Sequence, residues 1–231
     1  MTTGARSKRP APTNSRNKQI IAYLSDKDPS LGKVIERVGD YKLAVNPLQN
    51  SYEALAESII YQQITGKAAA SILKKVVDQV GDLSDQGIKI IPQANTLLKL
   101  EAEALRACGL SRSKQLALID LANKMSVGDL PSKEEMLELD DQELIEKLIT
   151  IRGIGTWTVQ MLLIFNLGRP DVMPHTDYGI RKGFTLSFPR SGTRAKDGLA
   201  TPASVLKRAE KWRPYRTCAS WYLWRSLDVK G

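Results

Sequence analysis

Cysteine and histidine are almost missing: Cys108, Cys218 and His175 are the full complement in 231 residues. So few scattered side chains cannot complete a zinc site or hold an iron–sulfur cluster, and both are excluded. A single histidine also leaves little material for a Ser/His/Asp arrangement. Neither GxxxxGK[ST] nor GxGxxG occurs, which argues against nucleotide hydrolysis and hydride transfer. Long apolar runs are lacking as well. None exceeds five residues, as in Met161–Phe165, which meets Asn166 at once, far short of the roughly 20 residues of a membrane helix. No membrane span is expected. Two isolated thiols fit a reducing compartment, so the expected location is the cytoplasm for a bacterial source or the nucleus for a eukaryotic one.

Acidic residues are absent from the first 25 positions, which carry Arg6, Lys8, Arg9, Arg16 and Lys18. The whole chain has 34 Lys and Arg against 25 Asp and Glu, a net charge of +9. The start of the chain therefore holds over half of that excess, and the balance favours a polyanionic partner, with nucleic acid the leading candidate. With Pro10, Pro12 and small polar residues around those charges, residues 1–17 are expected to form a disordered basic arm. The composition of the remainder, with 42% hydrophobic and 26% charged residues overall, is that of an ordinary globular domain.

Apolar residues three and four apart dominate after the arm, so the fold class is all-α. Ser51 can cap a helix whose buried face holds Leu55, Ile59, Ile60 and Ile64, and a second stripe from Ala69 to Val80 follows Gly66. A loop is expected from Asp82 to Pro92, then a short helix over Glu101–Ala107 stopped by Gly109, an exposed turn over Gly109–Arg112, and a helix over Ser113–Met125. Tyr41–Val45 reads as a short strand or an extended connector.

The densest information lies between residues 140 and 167. Asp140 with Glu143 three residues on makes a capping signature for a helix carrying Leu144, Ile145, Leu148 and Ile149. Ile151-Arg152-Gly153-Ile154-Gly155 then reverses the chain, and Thr156–Leu167, apolar on nearly all sides, is expected as a buried central helix. Glycines in such a hairpin let backbone amides touch a phosphate while the next helix turns its positive end to the same anion. An ordinary tight helix connection would look the same from Gly-Ile-Gly alone. Similar pairs of readings hold nearby. Trp157 and Tyr178 are core aromatics or a pocket lining, and Asp177 is a helix N-cap, a reacting carboxylate or both. His175 is a surface loop residue or a hydrogen-bond donor near that acid, and Gln62 and Gln63 are exposed or reach a groove or pocket.

The stretch LITIRGIGTWTVQMLLIF followed by MPHTDYGIRKGF resembles the helix-hairpin-helix superfamily of DNA glycosylases. With SIIYQQITGKAAASI, CGLSRSKQLALIDLA and AEKWRPYRTCASWYLWR, the likeness covers roughly residues 50–226 and narrows to the alkylpurine (3-methyladenine) DNA glycosylases. It implies a two-lobed fold over residues 18–231 with the active-site cleft between the lobes, and an enzyme that flips an alkylated purine out of duplex DNA and hydrolyses it to leave an abasic site. A bifunctional glycosylase/lyase and a non-catalytic DNA-binding module are the alternatives.

By that resemblance Asp177 is the catalytic carboxylate, and Gly153, Ile154 and Gly155, with Thr156 opening the next helix, grip the DNA backbone. Trp157, Tyr178 and Trp212 line the base pocket, to which Gln62 is added from its own place on the Ser58–Ile64 helix, and the turn Leu110, Ser111, Arg112 is the wedge that enters the duplex. The carbonyls of Ile149, Ile151 and Ile154 match a monovalent cation site, Na+ or K+, with no other cofactor required. The implied partner is duplex DNA carrying alkylated bases, met by a monomer. Two departures stand out: Thr176 occupies a position where relatives often carry a second acid, and the chain before residue 50 is short for a separate N-terminal β domain. Bifunctional relatives carry a lysine on the helix just after the hairpin glycines, where this chain has Trp157.

Overall fold

Side chains that accept the first unpaired amides set most helix starts in this chain. The computed structural model describes residues 14–229. In order these form α1 (Asn14–Lys27), α2 (Pro29–Val38), α3 (Ser51–Tyr61), α4 (Gly66–Val80), β1 (Asp82–Leu83), β2 (Lys89–Ile90), α5 (Ala94–Leu97), α6 (Ala102–Ala107), α7 (Arg112–Ser126), α8 (Lys133–Glu138) and α9 (Asp141–Leu148). Then come α10 (Thr156–Phe165), α11 (Tyr178–Ser187), α12 (Pro202–Ala209), a 3-10 turn (Glu210–Trp212) and α13 (Arg216–Arg225).

The class is all-α, as read from periodicity. Asp140 and Glu143 form the expected capping box on α9, each side chain bonded to the other's backbone N–H. At α3 the cap is Asn50, whose Oδ1 accepts from the N–H groups of Tyr52 and Glu53, so Ser51 is the first helical residue rather than the cap. The stretch Asp82–Pro92, expected as a loop, holds an antiparallel hairpin pairing Asp82 with Ile90 and Leu83 with Lys89. Strands of two residues are too short to show a period of two. Among the described residues no strand pairs with Tyr41–Val45, which is an extended connector. The basic arm falls outside the described residues as far as residue 13. From Asn14 the chain is helical, because Ile20, Ile21 and Leu24 give α1 an apolar side to bury.

The chain divides into two units, one formed by Val45–Gly168 and the other by the segments on either side of it. In the Val45–Gly168 unit α7 packs against α3 and α5, and α9 against α10, around Leu55, Ile59, Ile60, Leu118, Leu121, Leu144, Leu148 and Val159. In the other unit α2 and α11 pack on α13, with Phe184, Trp212 and Tyr222 fully buried. α11 and α13 approach closely at Gly183, where a Cβ would stand 2.2 Å from the Leu223 carbonyl oxygen.

That second core also encloses a charge. Asp28 caps α2 and accepts from Arg208 Nε at 2.8 Å, Arg208 Nη2 at 2.7 Å and Trp212 Nε1 at 3.0 Å. Burial alone would raise its pKa, but the hydrogen bonds from Arg208 and Trp212 and the charge of Arg208 outweigh that. Asp28 is held below the ordinary carboxylate range.

Candidate functional site

The hairpin after α9 is built by short-range hydrogen bonds. Ile151 N–H reaches the Leu148 carbonyl at 3.1 Å, and Ile154 N–H reaches that of Ile151 at 3.0 Å. Gly153 sits at φ +78°, in the left-handed region that disfavours other residues, and a Cβ there would lie 3.1 Å from Ala117 Cβ on α7. Gly155 has ordinary extended backbone and open space around it. Its role is at the helix end. As N-cap of α10 it offers no side chain to the first amides, so the positive end of that helix carries no side-chain cap. Thr156 and Trp157 follow it on the exposed side, with Trp157 42% exposed, although the rest of α10 from Thr158 to Ile164 is largely buried as expected.

Two side chains from outside the hairpin hold it in shape. Asp120 on α7 accepts the Arg152 N–H at 2.7 Å. Gln62, at the C-terminal cap of α3, donates its amide to the Gly153 carbonyl at 2.9 Å and to Thr158 Oγ1 at 3.4 Å. Gln62 was expected to line a base pocket; the structure makes it a brace for the hairpin, because α3 ends where its side chain meets the exposed carbonyl of the left-handed glycine. The turn before α7 also differs from its expected form. Ser111 and Arg112 are exposed, but Leu110 is buried at 3%, its carbonyl accepting from Gln115 Nε2 at 2.8 Å. A wedge from this turn would consist of Ser111 and Arg112 without the leucine.

The loop that delivers Asp177 is fastened to the start of α13. Asp171 accepts from Arg216 Nε and from Arg213 Nη1, each at 2.7 Å. Thr217 Oγ1 accepts the Val172 N–H at 3.0 Å and donates to the Arg169 carbonyl at 2.7 Å. The loop then turns tightly, with Asp177 N–H on the Pro174 carbonyl at 2.9 Å. His175 is half-buried with Nδ1 3.3 Å from the Met173 carbonyl oxygen, and Thr176 is exposed.

Asp177 is the N-cap of α11, and its Oδ1 accepts the Ile180 N–H at 2.8 Å. The same oxygen accepts Trp224 Nε1–H, from α13, at 2.8 Å. Cap and candidate reacting group are therefore one residue, a half-buried carboxylate fixed at one oxygen by two donors. Gly179 leaves the room for this: a Cβ there would stand 2.8 Å from Trp224 Cδ1 and 3.1 Å from Asp177 Oδ1. Tyr178 is 64% exposed immediately beside the acid.

Trp212 does not belong with these residues. It is fully buried, bonded to Asp28 and packed near Phe188, because its indole fills the core between α12 and α13. The tryptophan of that segment that reaches the acid is Trp224, which sequence reading did not single out. Its signal was present, since AEKWRPYRTCASWYLWR offers three tryptophans at different helical phases, and only packing decides among them.

The HhH-GPD family of base excision DNA repair proteins matches residues 56–212. A DNA-3-methyladenine glycosylase 1 of Schizosaccharomyces pombe is 35% identical over 90% of this chain and 86% of its own length. Among solved structures, the chain is similar to the S. pombe 3-methyladenine DNA glycosylase Mag1 in complex with abasic DNA, with a TM-score of 0.74 and 35% identity over 89% of this chain and 95% of that one. It is also similar to a DNA-3-methyladenine glycosidase from Bacillus halodurans, with a TM-score of 0.74 and 28% identity over 91% and 94% of the two chains.

Proposed function

The chain belongs to the HhH-GPD superfamily of base excision DNA repair proteins, and from that premise we propose that it is a monofunctional DNA glycosylase that flips alkylated purines from duplex DNA and hydrolyses their N-glycosidic bonds. The observation that carries this reading is Asp177, held at Oδ1 by Ile180 N–H and Trp224 Nε1–H, each at 2.8 Å. Breaking the bond to the base builds positive charge on the sugar, and a preorganised carboxylate stabilises that charge and orients or deprotonates water. One acid suffices for a purine alkylated at N3 or N7, because the leaving base is already cationic and needs no proton from a second group. Such a base also favours an electron-rich aromatic face, and Tyr178, beside the acid, is exposed enough to offer one.

Sequence-independent grip comes from the amides of Gly153 and Gly155 and the uncapped start of α10, with Arg152 exposed beside them. The carbonyls of Ile149, Ile151 and Ile154 lie at and after the negative end of α9, which suits a monovalent cation; when bound, such an ion would add positive charge for a phosphate.

The test is Asp177→Asn in single-turnover excision from a duplex carrying 7-methylguanine or 3-methyladenine. A loss of about 10²-fold or more is expected, in line with other preorganised charged groups, with affinity for an abasic-site duplex kept within a few fold. Excision by the Asn variant near the wild-type rate would remove Asp177 from the role.

A further inference from the structure

One face of α11, the helix that Asp177 opens, is turned to solvent. Tyr178, Lys182 and Leu186 recur along it at four-residue spacing, and Tyr178 and Leu186 are 64% and 63% exposed. The Lys182 ammonium stands 5.8 Å from the centroid of the Tyr178 ring. The adjacent cation, Arg181, is engaged by Asp197 at 2.9 Å and by the Ala200 carbonyl at 2.8 Å, whereas Lys182 makes no ion pair among the described residues. The electron-rich ring next to the acid therefore already faces an unneutralised positive charge.

We propose that Lys182 is a specificity-determining residue that sets the balance between cationic and neutral lesions; the inference rests on the glycosylase reading, with Tyr178 against the extruded base. A cationic purine approaching Tyr178 must displace the ammonium from the ring or share the ring with it, and either way two like charges are brought together. A neutral purine stacks on the same ring without that conflict. Lys182 thus subtracts from the preference that an aromatic pocket would otherwise give to charged bases, and lets neutral damage compete. Its charge also bears on the sugar cation and on the phosphates, but those are common to every lesion. They cancel in a ratio of two substrates, so the ratio isolates the effect on the base.

The experiment measures equilibrium binding of the full chain to three duplexes of one sequence. One carries 2′-fluoro-7-methylguanine, which is cationic and resists hydrolysis; one carries 2′-fluoro-hypoxanthine, which is neutral; the third is undamaged. Lys182→Met keeps the aliphatic stem and removes the charge, and should raise the cationic-to-neutral affinity ratio about two- to five-fold, the range of an exposed cation–π contact. Lys182→Arg should leave the ratio at its wild-type value. Adding Tyr178→Leu to Lys182→Met should abolish the gain. An unchanged ratio in Lys182→Met, including the case where both affinities fall together as for a simple phosphate contact, overturns the proposal while leaving the glycosylase reading intact. A wild-type chain that releases no alkylated base and prefers neither lesion duplex to the undamaged one overturns both.

Discussion

Asp177 illustrates how one residue can end a loop, begin a helix and carry reactive charge. Its carboxylate is aimed by Ile180 N–H and Trp224 Nε1–H, and Trp224→Phe removes the second donor while keeping an aromatic in place. Hydrogen bonds to charged groups are worth about 1.5–3 kcal/mol, so single-turnover excision should fall about tenfold or more. Affinity for an abasic-site duplex should move little, whereas stability should fall as well because the bond is lost from the folded state; wild-type excision by the folded variant would make Trp224 a packing residue only. A second carboxylate serves stability. Asp28 has its folded-state pKa lowered by Arg208 and Trp212 despite burial, so its contribution is present above the unfolded carboxylate pKa and disappears as pH falls through the lowered folded value. Asp28→Asn should lower stability at neutral pH by about 3 kcal/mol, the low end for breaking a buried pair because Arg208 remains 18% exposed. Urea midpoints between neutral pH and pH 3 should therefore fall more steeply for the wild type than for the variant. Both tryptophans involved come from one quoted motif. Sequence placed that motif correctly but chose Trp212 for the pocket, since helical phase says which residues share a face and not which face meets Asp177.

At the scale of elements, the hairpin separates two reasons for having glycine. Gly153 needs it for its backbone, at φ +78° and 3.1 Å from Ala117 as judged by an added Cβ, whereas Gly155 has neither strain nor crowding within the protein. Gly153→Ala should therefore cost stability, about 1–2 kcal/mol for the left-handed backbone, and weaken DNA binding through the displaced turn. Gly155→Ala should leave the melting temperature unchanged and still weaken binding to damaged and undamaged duplex alike, because the added methyl stands where a phosphate would approach. Full DNA affinity in Gly155→Ala would remove close phosphate contact from that position. This element was the most legible part of the sequence, since the Asp140–Glu143 box, the paired glycines and the all-apolar α10 are local signals. The Ser132–Glu135 capping box of α8 has the same form, but its six-residue helix carries no long apolar stripe to mark it in the sequence. The clamps from Asp120 and Gln62 were illegible for a different reason: both are tertiary contacts, the partners being 32 and 91 residues away.

For the whole molecule, four motifs in order were enough to indicate the superfamily, while the division into units was hidden because one of them is assembled from both ends of the chain. The same view bears on what the enzyme does after the base leaves. Strand cleavage by β-elimination needs an amine to form a Schiff base with the sugar, and α10, Thr156–Phe165, contains no lysine; Trp157 occupies the position at which the resemblance to bifunctional relatives would put one. Lys182 lies one turn along α11 with its ammonium at the Tyr178 ring. Lys114 has its pKa drawn down by burial, which favours a nucleophilic amine, but its Nζ donates to the Ile60 carbonyl at 2.7 Å as part of the packing of α7 on α3. Lys114 is thereby tied into the packing of its own unit, and the Lys182 ammonium is turned to the Tyr178 ring. Incubation with a lesion-containing duplex and borohydride should therefore give no covalent protein–DNA adduct, and strand breaks should arise only after alkali. Trapped adduct, or nicks without alkali, would establish lyase activity. Repeating the trap with Lys182→Met and Lys114→Met would then identify the nucleophile, since only the variant lacking it would fail to form the adduct.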